Sequence, residues 1–267
     1  MAMSILSNGC FCQVVHSPIR AHYITATSYS KEFTDVFSFI NNQAALISLK
    51  SAGAGVYGEQ RFLLKETSMY SLAFALPTSE GGFGFEANYF GDNDYNESQI
   101  GIAYAKKIGG LVDIGVQFNY YDIRIAGYGT VGTVNFEAGA IFHLTEKFQF
   151  GLHVYNPVGG KLGKNTDEKL ASIFTVGAGY DASKQFFVSA EIVKEENKPV
   201  NVNAALQYIF AKQFFLRTGI ETGSGSPFAG AGLLWQNFRL DISVSYHPQL
   251  GVSPGTVLIY RFIKKEG

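Results

Sequence analysis

Nowhere in the 267 residues does an apolar run approach the ~20 residues that a helix needs to cross a bilayer. If the chain lives in a membrane, it does so as a β-barrel. Charge is scarce: 16% of residues are Asp, Glu, Lys or Arg, against about 25% in ordinary soluble proteins. It is also balanced, 21 basic residues against 22 acidic, which gives no reason to expect a nucleic-acid partner. There are only 7 prolines and 2 cysteines. Both cysteines, Cys10 and Cys12, stand in GCFCQ, an isolated C-x-C pair that reads as unused thiols rather than a metal site. The first twenty residues have no basic n-region and only a broken apolar stretch, so they make a poor signal peptide. Residues 1–30 therefore read as a leader or disordered segment.

What the chain does have is alternation. In FRLDISVSY (238–246) every even position is apolar and every odd one polar, the period of a strand with two unlike faces. From about Ala54 such runs repeat, at 54–62, 69–77, 83–90, 98–106, 112–123, 134–144, 148–156, 172–180, 186–194, 200–210, 214–221, 228–235, 238–246 and 256–262. Most are near the about 9–11 residues of a tilted membrane strand. Connections after even-numbered runs are short: TSEGG, KIGG, TEK, DASKQ, AKQ and QN. Those after odd-numbered runs are mostly longer: LLKETS, GDNDYNE, RIAGYGTVGT, PVGGKLGKNTDEKLA, EENKP, TGSGSP and HPQLGVSPG. Short turns at one end and longer loops at the other are the plan of an outer-membrane barrel.

The two faces carry different chemistry. The apolar parity places Phe142, Phe148, Tyr180, Phe186, Phe210, Phe214, Trp235 and Phe238 beside the short turns, as an interfacial aromatic girdle would be. The other parity carries Glu86, Asn88, Gln99, Asp113, Gln117, Asn119, Asn135, Glu137, His153, Glu191, Asn201, Asn203, Gln207, Arg217, Glu221, Arg239 and Asp241. Fourteen strands enclose more space than wall side chains can fill, so this polar face is expected to line a wet lumen. Parity-preserving hairpins set His143 opposite Gln149, Gly139 opposite His153, Gln207 opposite Arg217 and Asn203 opposite Glu221. His143 and His153 are then about 13 Å apart along the sheet, too far to share a zinc ion. The lipid parity offers no Ser–His pair, so neither an enzyme nor a cofactor is expected. The lumen ladders read as hydrogen-bonded stiffening of the wall, with setting the selectivity of a pore as the alternative.

The last run, with Gly255, Leu258, Tyr260 and Phe262, resembles the C-terminal signal read by barrel-assembly machinery. Fourteen strands preceded by some fifty other residues resemble the FadL superfamily. FTDVFSFINNQAALISLKSAGAGVYGEQRF (33–62) is similar to the entry segment of PorV/PorQ-like outer-membrane proteins of Bacteroidota, with Gln43 of NNQAAL where that family has proline. The expected division is a leader (1–30), a plug or entry segment (31–52), an all-β, 14-stranded antiparallel transmembrane barrel (53–262) and a tail (263–267). The resemblance implies a plug inside the lumen, formed by Phe37, Phe39, Ile40, Ala44 and Leu46 among others, and a bacterial outer-membrane location. It also implies partners: outer-membrane lipid, the assembly machinery, and either a small hydrophobic compound leaving through a gap in the wall or a type IX secretion protein held by residues 157–171. A barrel with no cargo is the third alternative.

Overall fold

The computed structural model describes residues 15–163 and 168–262. The cysteines, the tail 263–267 and four residues of the longest loop lie outside them. Fourteen strands close into one antiparallel barrel. They are β1 (Ala52–Gln60), β2 (Ser68–Pro77), β3 (Gly82–Gly91), β4 (Tyr95–Ile108), β5 (Val112–Ile125), β6 (Gly129–His143), β7 (Phe148–Tyr155), β8 (Ile173–Asp181), β9 (Phe186–Glu195), β10 (Val200–Phe210), β11 (Phe214–Glu221), β12 (Ser226–Trp235), β13 (Phe238–His247) and β14 (Gly251–Phe262). Closure is made by β14 against β1, from Gly255 opposite Glu59 to Phe262 opposite Ala52.

Burial alternates along the strands, and the apolar parity is the exposed one. Ile102, Phe118 and Ile242 are each about two-thirds exposed on the outer surface. A soluble barrel would bury such a face; a membrane barrel turns it to lipid. No helix among the described residues is long and apolar enough to cross a membrane. The four hairpin pairings expected from parity are present, His143↔Gln149 and Gly139↔His153, Gln207↔Arg217 and Asn203↔Glu221.

Several expected loops are strand instead. RIAGYGTVGT is mostly hairpin: β5 and β6 stay paired out to Ile125↔Gly129, closed by Gly127 at φ 79°. GDNDYNE, TGSGSP and HPQLGVSPG likewise shrink to three or four residues between paired strands. Backbone pairing satisfies donors and acceptors in water as well as in lipid, so it continues where the side-chain alternation fades. The connection after β7 remains long, and it turns inward. Leu162 and Leu170 are buried with Ile19, Tyr121 and Ile123, and Lys169–Leu170 pairs in parallel with Val15–His16.

The larger correction concerns residues 15–30, expected to be leader. Ile19, Tyr23, Ile24 and Tyr29 are almost wholly buried, packed with inward-facing side chains of the barrel. A chain enclosed by a wall on all sides needs no periodic apolar face, which is why neither strand nor helix spacing marked it. The enclosed segment thus runs from about residue 17 to residue 51, with one helical turn at His22–Thr25 and 3₁₀ turns at Ser38–Ile40 and Gln43–Ser48. It occupies the lumen.

Candidate functional site: the lumen and its N-terminal segment

Close approach to the wall depends on missing side chains. A methyl group at Gly115 of β5 would lie 2.6 Å from the Gln43 carbonyl carbon, and one at Gly177 of β8 would lie 2.2 Å from the Tyr29 ring. Phe37, Phe39, Ile40, Ala44 and Leu46 are all buried. Ile141 of β6 joins Tyr29, Ala44 and Ala45 in a small apolar contact.

Each residue of Asn41-Asn42-Gln43 is tied to the wall. Asn41 donates to Glu191. Asn42 Nδ2 donates to the carbonyls of Ala140 (3.3 Å) and Leu152 (3.0 Å). Gln43 Nε2 donates to Glu137 at 3.1 Å, so the residue standing where the resembling family has proline makes a wall contact that proline could not make.

The expected lumen residues fall into three groups. Along β3–β7, Gln117 bridges two acids, at 2.9 Å from Glu86 Oε1 and 3.3 Å from Glu137 Oε1. Gln99 also donates to Glu86 (2.7 Å), Asn119 to Glu137 (2.7 Å) and to Asn135 (2.9 Å), and His153 sits 2.9 Å from Glu137. Ser71 donates to Asn88, and Asp113 holds His143 at 2.6 Å. Across β10–β13, Arg217 bonds Gln207 at 2.6 and 2.8 Å, and Arg239 clasps Asp241. The third group, with Glu191, Asn201 and Glu221 partly exposed and Asn203 buried, lines a cavity of about 500 Å³ toward the longer-loop end. Its floor is Ser17–Tyr23 of the enclosed segment.

Most salient among the contacts is Asp35, absent from the sequence expectations. Its carboxylate lies between two guanidinium groups, 2.6 Å from Arg239 Nη1 and 3.6 Å from Arg217 Nη2, all three side chains almost fully buried. Arg217 also donates to the Tyr23 carbonyl at 2.6 Å. The inward aromatics Phe187 and Phe215 were missed too. Phe187 stacks on Phe33 at 5.7 Å, and the Arg239 guanidinium lies 4.6 Å over Phe215. Their signal was the doublets Phe186-Phe187 and Phe214-Phe215, since adjacent strand residues must face opposite ways.

Among the aromatics expected to form a girdle, Phe210 and Phe214 stack at 5.8 Å, Phe186 meets Tyr208, Phe142 meets Phe150, and Phe238 meets Tyr260 at 4.8 Å. Phe148, Tyr180 and Trp235 lie on the same outward parity at the short-turn end. On β14, Leu258 and Phe262 face out, Gly255 faces in, and Phe262 packs edge-on to Tyr260 and Phe74. The lateral gap implied by the FadL resemblance has no counterpart in β3, whose pairing with both neighbours is unbroken from Gly82.

No family model and no curated protein sequence matches the chain. Solved structures do. The toluene transporter TbuX of Ralstonia pickettii superposes with a TM-score of 0.65 over 95% of this chain and 100% of its own, at 11% identity. The P. putida toluene transporter TodX gives 0.64 over 91% and 99%, at 10% identity. A Pseudomonas aeruginosa FadL homologue gives 0.58 over 91% and 98%, at 12% identity. At such identities the likeness is one of fold: a closed, 14-stranded antiparallel barrel similar to the FadL and TodX barrels.

Proposed function

We propose that the chain is an outer-membrane barrel through which a small, largely hydrophobic compound passes without an energy source, and that residues 17–51 are its plug. The observation that carries this is the division of the lumen. The enclosed segment fills its middle, while a cavity of about 500 Å³ is left toward the longer loops, within the usual ligand-pocket range of about 300–1,000 Å³. Tyr23, Tyr57, Phe62 and Phe228 give this cavity an aromatic side, suited to a compound that leaves the outer leaflet or the medium. The toluene transporters that share the fold favour the same reading. Type IX secretion is less supported, because that role would use 157–171 as a projecting loop, whereas Leu162 and Leu170 are packed into the barrel.

The test is uptake. Liposomes carrying the full-length protein should admit a small aromatic hydrocarbon faster than protein-free liposomes do, with little gain for a sugar of similar size. Equal gains for both solutes would mark a simple water-filled pore. No gain for either would leave the barrel without cargo.

A further inference from the structure

We propose that the cavity at the longer-loop end is a binding site for a small organic cation: a protonated amine carried on an aromatic or aliphatic body. The inference rests on the reading that this cavity admits compounds, and it specifies their charge. The two sides of the cavity differ. From β12 round to the turn after β1 the wall presents Phe228, Tyr57 and Phe62 beside His247 and the paired Glu59 and Arg61, with Tyr23 rising from the floor. From β8 to β11 it presents acids and amides.

On that second side, Glu191, Asn203 and Glu221 are directly opposite one another across β9, β10 and β11. They form one inward row with neighbours about 5 Å apart. The cations around the cavity already have acid partners: Arg61 has Glu59, Lys198 has Glu195, Arg20 has Glu137, and His22 sits 3.4 Å from Glu221. Glu191 is the exception. Its two oxygens accept from the amides of Asn41 and Asn203, and among the described residues no Lys, Arg or His nitrogen forms an ion pair with it. Amides orient a carboxylate but leave its charge in place.

A second observation points the same way. Thr175 of β8 lines the cavity, is 2% exposed, and its hydroxyl has no hydrogen-bond partner. Thr175 lies two residues along β8 from Gly177, the residue opposite Glu191, a diagonal neighbour on one face. A buried hydroxyl without a partner is costly, and an ammonium group placed between Thr175 and Glu191 supplies one. The body of the ligand would then lie toward the aromatic side, where ring faces also favour a cation. A carboxylate-bearing compound would instead meet Glu191 and Glu221 with like charge.

Isothermal titration calorimetry on the full chain in detergent micelles tests this with 2-phenylethylamine, phenylacetate and toluene, which share one ring and differ in charge. The amine is expected to bind at least ten-fold more tightly than phenylacetate. Glu191→Gln should weaken the amine about ten-fold and weaken toluene far less. Thr175→Val, which alters no charge, should weaken the amine about three-fold and serves if Glu191→Gln does not assemble. A preference for phenylacetate, or an amine affinity that neither variant changes, overturns the cation site. If toluene still binds in that case, the passage reading survives; if none of the three ligands binds, both fall.

Discussion

Arg239 of the barrel wall reaches Asp35 of the enclosed segment, Nη1 to Oδ2 at 2.6 Å, while its other nitrogens hold Asp241. The contact spans 204 residues of sequence and joins the two parts of the molecule whose relative movement would matter for passage. Removing one partner of a buried ion pair strands the other's charge. Asp35→Asn should therefore loosen the segment by about 3 kcal/mol, the lower end of the usual range for such a loss, because Asp241 still serves Arg239. Limited proteolysis of residues 17–51 in micelles would read this as faster cleavage with the barrel intact. Arg239→Gln also strands the buried Asp241, so added to Asp35→Asn it should loosen the segment further, yet by less than it does alone. Fully additive losses would mean that the two residues act separately.

His22 gives the seating of the segment a pH dependence. Burial favours the neutral ring, but the hydrogen bond and charge of Glu221, helped by Glu191 and opposed by Arg20, outweigh it and hold the pKa above its ordinary 6.5. A group whose pKa is raised in the seated state stabilises that state fully below the unseated value. The contribution then fades as pH rises through the seated value. Protease release of the segment should thus be slower at pH 6 than at pH 8.5, and His22→Gln should flatten the difference. A wild-type protein whose release slows as pH rises would contradict the pairing.

The two faces of β5 can be told apart by one substitution each. Val116 is half-exposed on the outer surface, and Gln117 is fully buried between Glu86 and Glu137. An arginine on the lipid face near the midplane costs about 2–4 kcal/mol. Val116→Arg should lose that in a refolding titration. Gln117→Arg brings a cation to two carboxylates and should lose less, despite its bulk. The reverse order would invert the faces.

These comparisons show where local sequence sufficed. Strand parity was legible because each wall residue sees lipid on one side and the lumen on the other, so Val116 and Gln117 declare themselves by chemistry alone. Pairing across short turns followed from parity, which is why Gln207 and Arg217 could be set opposite one another. The enclosed segment gave no such signal. Ile19, Tyr23 and Tyr29 are buried by a wall distant in sequence, and Asp35 meets its partners only when the barrel closes. The extent of β5 and β6 was hidden for another reason. Beyond Asn119 the inward positions become Tyr121 and Ile123, and the alternation that marks a membrane strand no longer distinguishes the faces.

The remaining prediction concerns occlusion. Among the described residues none before Ala52, where β1 begins, contributes a barrel strand, and β14 closes on β1. Deletion of residues 1–48 should leave the barrel able to assemble, with its C-terminal strand and Phe262 in place. It would strip from the lumen Phe37, Phe39 and Leu46, together with the Asn41–Gln43 contacts to Glu191, Glu137 and the β6–β7 backbone. The glycines at 115 and 177 would then face open space, because fourteen strands enclose more than wall side chains can fill. Single-channel recording in planar bilayers, full-length against truncated protein, measures the result. A large and steady rise in conductance on truncation is expected if residues 17–51 occlude the lumen. If both proteins conduct alike, the segment braces the wall without closing it, and passage would have to be explained by a route around it.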